Sequence, residues 1–352
     1  MPERRWLRAS WLAVVAVISP GVERPLGPPA GLYEGLAWRS EVAIRDNRAM
    51  VSARPDLGLM TIHNVGLEQM WEDWGYLDGL GISSLWLGDH YGVPRLPELP
   101  LWETWTLLAT LAGRTSRCTV GTLVTNVAMR NPALLAKQIT TLDHLSGGRL
   151  VVGTGYYEQE HAWVGVPFPP TCDRVTRLGE AVEILDRLLR GERFRLDGAY
   201  FKVDHAPLFP RPVQRPRPPF AVGAFGARSL QVVATRAETW SFTGRPAEPP
   251  ESARRRFREL GTRLDDLCLA AGRAPADIRR SYLAGFADEM PFSSSDSFDE
   301  VTGRLAEAGA DEIVFYFMSD AQQEMRSRGH RWADRGTLEQ LIADGRWRVH
   351  GE

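Results

Sequence analysis

The stretch Asp143-His144-Leu145-Ser146-Gly147-Gly148-Arg149-Leu150-Val151-Val152-Gly153-Thr154-Gly155-Tyr156-Tyr157-Glu158 decides how the rest of the chain reads. A helical apolar pattern ends at Leu145, Gly147-Gly148 breaks it, and a short buried strand follows from Arg149. That strand leaves through Gly153-Thr154-Gly155 into an aromatic and acidic loop. Helix, glycine turn, strand and second glycine turn form one unit of a repeated β/α design. Such designs carry their chemistry just beyond the strand's C-terminal end.

Upstream, Leu57 to Ile62 predicts a first strand ending in His63-Asn64, and Leu67, Met70, Trp71, Trp74, Leu77 and Leu80 predict an amphipathic helix. Ile82 to Leu87 predicts a second strand ending in Gly88-Asp89-His90, followed by a helix around 102–113. Thr119 to Val124 reads as the third strand, and Pro132 sits where the next helix begins. Downstream, the stretch's own strand is fourth. A Pro-rich loop, a helix from Val175 to Leu189 and a hairpin at 194–203 intervene before a fifth strand, Phe220 to Gly223. A helix at 226–237, a strand at 238–242, a helix at 250–271, a strand at 278–286, a helix at 296–308 and a strand at 312–317 complete the series. Eight strands alternating with helices predict an α/β fold, a (β/α)8 TIM barrel over residues 54–348 with insertions after strand four.

The chain has 352 residues, 24% of them charged, and a formal net charge of -2. No global basic field points to nucleic acid. Cys118, Cys172 and Cys268 are far apart and odd in number. They predict neither a disulfide framework nor a cysteine metal site, and a reducing, cytoplasmic compartment fits them. Residues 1–53 read as an extension, disordered or foreign to the native protein, with Met50 a plausible start. Arg4-Arg5 before the apolar run Trp11 to Ile18 resembles a signal peptide, so export is the competing reading. That run is too short to span a bilayer, and no membrane partner is expected.

The barrel mouth collects the residues at the strand ends: His63, Asn64, Asp89, His90, Thr125, Asn126, Thr154 to Tyr157, Gly223 to Gly226, Thr243, Arg245, Asp288 and Met318. The set is polar, aromatic and glycine-rich with few carboxylates, which suits a flat polar ligand better than two-acid hydrolysis. His90 is the candidate for proton transfer. Asp89 either orients it or contacts the ligand; the bland alternative is a structural Asp-His pair. His63 and His90 on adjacent strands raise a metal site, but no His-x-His accompanies them, and no metal is expected. Gly223-Ala224-Phe225-Gly226-Ala227-Arg228-Ser229 opens a helix whose N–H groups and Arg228 suit a phosphate; the alternative is a tight turn only. Arg254 to Arg258 reads as a solvated helix face.

Taken in order, further segments carry a resemblance. These are Ser84 to His90, Glu103 to Ala109, Arg114-Thr115-Ser116-Arg117, Gly121 to Thr125, Arg130 to Gln138, Leu142 to Arg149, Gly165 to Pro169, Arg174, Glu180 and Gly198 to Phe201. Together they make the chain resemble the luciferase-like flavin-dependent oxidoreductase (monooxygenase) family, over roughly residues 54–245 and more weakly 296–318. The resemblance implies a barrel that binds FMN or coenzyme F420 at the strand ends. It implies hydride transfer to, or monooxygenation of, a small organic substrate. A separate reductase and a homodimer are implied partners.

By position, Thr122, Leu123 and Thr125 would line the isoalloxazine side, where the family often carries a strained peptide. His63, Thr154, Gly155 and Tyr157 would add contacts, while Gly223, Ala224, Phe225, Gly226, Arg228 and Ser229 would hold the phosphate end. Tyr156 and Asn126 would face substrate, and His90 falls on the histidine that assists hydride transfer in deazaflavin-dependent members. Sugar-phosphate dehydrogenases of the family carry a Trp where this chain has Pro94 and a Glu where it has Tyr156, so that activity is not implied. A non-catalytic flavin-binding barrel and a cofactor-free hydrolase are the competing readings.

Overall fold

The computed structural model of the protein describes residues 55–93, 97–156, 160–286, 289–322 and 331–347. The expected extension at 1–53 and the candidates Tyr157 and Asp288 lie outside them.

Eight parallel strands close on themselves. Their order around the ring is β1 (Asp56–Thr61), β2 (Ser84–Leu87), β3 (Thr119–Thr122), β5 (Leu150–Gly155), β8 (Phe220–Gly223), β9 (Thr239–Thr243), β10 (Arg279–Leu283) and β11 (Glu312–Phe317), which pairs back onto β1. Register at the closure runs from Asp56↔Glu312 to Thr61↔Phe317. A two-residue strand, β4 (Thr125–Asn126), continues β3 after an interruption and pairs with β5. The third strand is thus shorter than the expected 119–124, because a cis peptide joins Leu123 to Val124. Helices α1 (Leu67–Gly79), α2 (Thr104–Arg114), α3 (Pro132–Ser146), α4 (Thr171–Arg190), α5 (Ala227–Arg236), α6 (Pro250–Ala270), α7 (Ser295–Glu307) and α8 (Arg335–Ala343) alternate with the strands. Helix α8 escaped the sequence reading. The insertion after barrel strand four is the hairpin β6 (Arg195–Asp197) and β7 (Lys202–Asp204), whose turn amides at Ala199, Tyr200 and Phe201 donate to Glu180 on α4.

Alternation along each strand divides the apolar residues into two sets. The larger packs between strands and helices and contains Leu59, Leu85, Val120, Val152, Val222, Trp240, Tyr282 and Phe315. The smaller fills the barrel's inside: Met60, Trp86, Leu123, Leu283 and Val314, with Val124, Val151, Phe286 and Tyr316 packed onto it. Trp86 needs room at the barrel's centre. A Cβ on Gly121 would lie 2.7 Å from its ring and 2.3 Å from the Val151 carbonyl, so glycine there admits the indole and the neighbouring strand together. Below it the interior is polar, with Trp86 donating to Ser84 and Ser84 to Glu312.

At the bottom, α3 stops at Gly147 in the left-handed region, φ 63°. Arg149 then spreads its guanidinium over four acceptors, the carbonyls of Ala112, Thr115 and Cys118 and the Thr115 hydroxyl, at 2.7–3.0 Å, while its Nε donates to Ser146. It caps the end of α2 and fixes the entry of β3 beside β5. His144 meets the Arg211 carbonyl, and Asp143 accepts from Gln214. The expected solvated face at Arg254–Arg258 holds for Arg255 and Arg258, which are exposed, and is corrected for Arg254 and Arg256. Arg254 is buried against Glu289, and Arg256 lies over Phe242 and pairs with Glu248, because this side of α6 faces the barrel. Among the described residues, no helix is long and apolar enough to cross a membrane.

Replacing Arg149 with Ala strips several buried carbonyls of charged donors and should cost about 3 kcal/mol in urea unfolding; a loss under about 1 kcal/mol would show that water replaces the guanidinium.

Candidate active site

The mouth is built from the turns that follow the strands. His90 lies two positions beyond Gly88, in the turn that follows the C-terminal end of β2. Its Nδ1 meets Glu160 Oε2 at 3.3 Å. Glu160, whose side chain is 1% exposed against 34% for His90, is held on all sides. The Tyr91 and Gly92 amides donate to the same oxygen at 3.0 and 3.4 Å, and Asn126 Nδ2 donates to the other at 3.3 Å. Burial would raise the Glu160 carboxyl, but the bonds from His90, Gly92 and Asn126 hold it below the usual carboxylate range. An ionised carboxylate accepts only, so the network assigns the proton of neutral His90 to Nδ1 and leaves Nε2 as the basic nitrogen.

Asp89 does not orient His90. Its two oxygens are taken by Arg130 Nε and Nη2, which donate at 2.7 and 2.5 Å, and the Asn126 amide adds a bond at 3.0 Å. Arg130 also reaches Glu103, the N-cap of α2, at 2.7 Å. Glu160 takes the role expected of Asp89. The sequence marks Thr154 to Tyr157 at the mouth and leaves Glu160 unmarked, three residues further on; an acidic residue preceding His161 in the same loop was the available signal.

Asn126, expected to face substrate, is fully buried and donates to Glu160 and to His161 Nε2 at 3.1 Å. It is a brace for Glu160 instead. Tyr156 is corrected likewise: it packs on the outer apolar layer with Leu150 and Val152, which share its parity, and its hydroxyl is buried on the α4 side near Arg177. Burial raises that hydroxyl's pKa. Thr122 and Thr125 turn their hydroxyls to each other at 2.8 Å, and Thr122 also donates to the Gly153 carbonyl. Of this segment, Leu123 and Val124 are what reaches the chamber. Gly155 makes way for Val124, since a Cβ there would lie 2.5 Å from its Cγ2.

At the start of α5, Ser229 Oγ already accepts from the Phe225 and Gly226 amides, at 3.3 and 3.2 Å. Arg228 donates to the Cys172 carbonyl and Thr176 hydroxyl on α4, and so bridges the first turns of two helices rather than pointing freely at the mouth. Ala224 is core, its carbonyl accepting from Trp240, while Phe225 is exposed and Gly223 half-buried. Among the described residues, no group of three or more His, Cys, Asp or Glu is placed to hold a metal ion.

A planar cofactor fits what remains. Buried polar atoms without a protein partner include His63 Nδ1 and Asn126 Oδ1, and a ring with polar edges would satisfy such atoms. The apolar floor of Met60, Trp86, Leu123, Leu283 and Val314 suits its face. His63 is buried beside Thr104 at 3.4 Å, and desolvation, with help from His90, lowers its pKa to about 4.

A histidine whose folded pKa lies below its unfolded value keeps its stabilising contribution above the unfolded pKa and loses it as pH falls. Between pH 7 and pH 5, His63 should therefore cost the fold about 2 kcal/mol. Chemical unfolding of His63→Gln should show a pH dependence flatter by that amount; an identical slope would place the imidazole in a solvated setting.

A family model described as luciferase-like monooxygenase matches residues 57–287. The F420-dependent glucose-6-phosphate dehydrogenase of Kineococcus radiotolerans is 36% identical over 141 residues, 38% of this chain and 40% of that protein. The enzyme of the same name from Microbacterium testaceum is 30% identical over 214 residues, 58% of this chain and 60% of the relative. The chain thus spans 40–60% of the length of these relatives. Among solved structures, the coenzyme F420 dependent tetrahydromethanopterin reductase from Methanopyrus kandleri shares the fold with a TM-score of 0.60 at 18% identity, covering 75% of this chain and 93% of that one. The matched segment runs through seven of the eight barrel strands, β1 to β10, and includes His90, Glu160 and the cis peptide. The chain belongs to the luciferase-like monooxygenase family.

Proposed function

We propose that the protein is an oxidoreductase that binds coenzyme F420 at the barrel mouth and exchanges hydride with a small organic substrate, His90 handling the accompanying proton. One observation carries this reading: a partly exposed histidine just beyond the C-terminal end of β2, its Nδ1 anchored to the buried Glu160. The relatives named for F420 dependence support the deazaflavin over FMN, which remains the alternative occupant of the same chamber. A separate reductase would supply the reduced cofactor if the reaction runs toward substrate reduction.

In this reading Leu123, Val124 and Gly155 lie along the ring, and the arc continues one strand further to Gly223–Ser229, where the phosphate end would lie. His63 and Asn126 would meet polar edges. When bound, the cofactor supplies or accepts hydride. The protein's own part is to hold the proton at His90 Nε2. Glu160 fixes the imidazole's tautomer and orientation, and the backbone amides of Tyr91 and Gly92 keep Glu160 ionised and still. Proton transfer by a positioned side chain is worth roughly 10²–10⁴-fold in rate. A non-catalytic barrel would have no need of this arrangement.

Titration of the purified full chain with F420 and with FMN, followed by cofactor fluorescence, should give micromolar binding of F420 and weaker binding of FMN. Binding of neither overturns the reading. His90→Ala should lower kcat about 100-fold with cofactor Kd changed less than about threefold, and Glu160→Gln should fall between it and the native protein. Equal turnover in His90→Ala would remove the proton-transfer role.

A further inference from the structure

Hydride transfer requires two ligands face to face, with reacting atoms about 3–3.5 Å apart. The cofactor placement proposed above takes the arc β3–β5–β8. In a ring of eight strands, β10 lies opposite β3 and β11 opposite β5, so the second ligand must rest on the β10–β11 wall. That wall is aromatic. Tyr316 on β11 shares the parity of Val314 and packs on the inner cluster, as does Phe286, just past β10; their rings meet edge to face at 5.8 Å and 68°.

Trp332 stacks on Tyr316 at 4.8 Å and 17°. The backbone holds it there. The Ala333 amide donates to the Tyr316 carbonyl at 2.9 Å, and the Met318 amide to the Ala333 carbonyl at 2.7 Å, a single parallel bridge that ties the segment to β11. Gly285 backs the pair: its φ is +109°, and a Cβ there would lie 3.0 Å from the Tyr316 ring and 3.5 Å from Trp332 Nε1. Trp332 is buried and Tyr316 only half so, which makes the indole a support and leaves part of the phenol ring as contact surface.

We infer that the substrate is a flat, uncharged ring compound that lies on Tyr316, with its reacting carbon toward the centre of the mouth and His90 across from it. Ring faces and methylenes reward a partner of the same kind, through apolar burial and offset stacking. A phosphorylated polyol would leave its phosphate and hydroxyls against carbon there, unpaired. A platform fixed by backbone hydrogen bonds also binds without the cost of ordering side chains. The inference rests on the cofactor placement above.

The test is isothermal titration of the full chain, loaded with F420, against three probes: 2-naphthaldehyde, decanal and glucose 6-phosphate. The naphthyl compound should bind at least about tenfold more tightly than either other probe. Tyr316→Leu and Trp332→Leu should each weaken it about tenfold, with Tyr316→Phe within twofold and cofactor Kd within threefold throughout. Equal or tighter binding of decanal or glucose 6-phosphate, with the cofactor bound normally, overturns this inference and leaves the proposed function standing. Failure of F420 to bind the native protein overturns both. Should the leucine variants not fold, the order of the three probes on the native protein decides.

Discussion

The guanidinium of Arg149 gathers the carbonyls of Ala112, Thr115 and Cys118 at the foot of the barrel, and the mouth depends on it. It touches the end of α2, the entry to β3 and the start of β5 together. Strand parity is unforgiving, since a slip of one residue exchanges the inside of a barrel for its outside. With Arg149 holding the start, Val151 falls inside and Val152 outside, and five residues on, Thr154 and Gly155 emerge beside the Leu123–Val124 peptide. Geometry at the reacting end is thus set by a staple some six residues away, at the other face.

Much of the architecture was legible because it is periodic. The alternation of strands and helices, the two glycine turns around β5 and the structural role of Asp143–Arg149 all follow from spacing and backbone chemistry. His144, Gln214 and Arg211 confirm that lower turn as scaffold by the bonds they make. The direction of individual side chains at the mouth was harder to read. Tyr156 packs on the outer layer, and the neighbours Asp89 and His90 close on different partners, Arg130 and Glu160. A linear reading groups neighbours, whereas the barrel separates them.

Two long-range pairings are not set by local periodicity. Glu160 reaches His90 across seventy residues, and Arg130 reaches Asp89 across forty-one; neither partner is marked by spacing. The run Arg254–Arg258 misled for a related reason. A charge-rich helix looks solvated until its Arg254–Phe257–Gly261 face proves to be the packed one. Buried cations there are matched by Glu248, Glu251 and Glu289, all contributed by segments whose acidity looked unremarkable.

The connection between β2 and α2 begins and ends at fixed points. At one end the Gly92 amide is bound by Glu160; at the other, Trp102 donates from its backbone to the His63 carbonyl and from its indole to Val65, just ahead of the Glu103 cap. The first anchor is the carboxylate that also holds His90, and the second closes on the turn after β1. The nine residues between them can therefore diverge in length and composition without disturbing His90, much as a tool head is exchanged on a standard shank. Relatives with this frame have a ready place to evolve new ligand preferences, and a chimera exchanging only that segment would inherit the chemistry of its host.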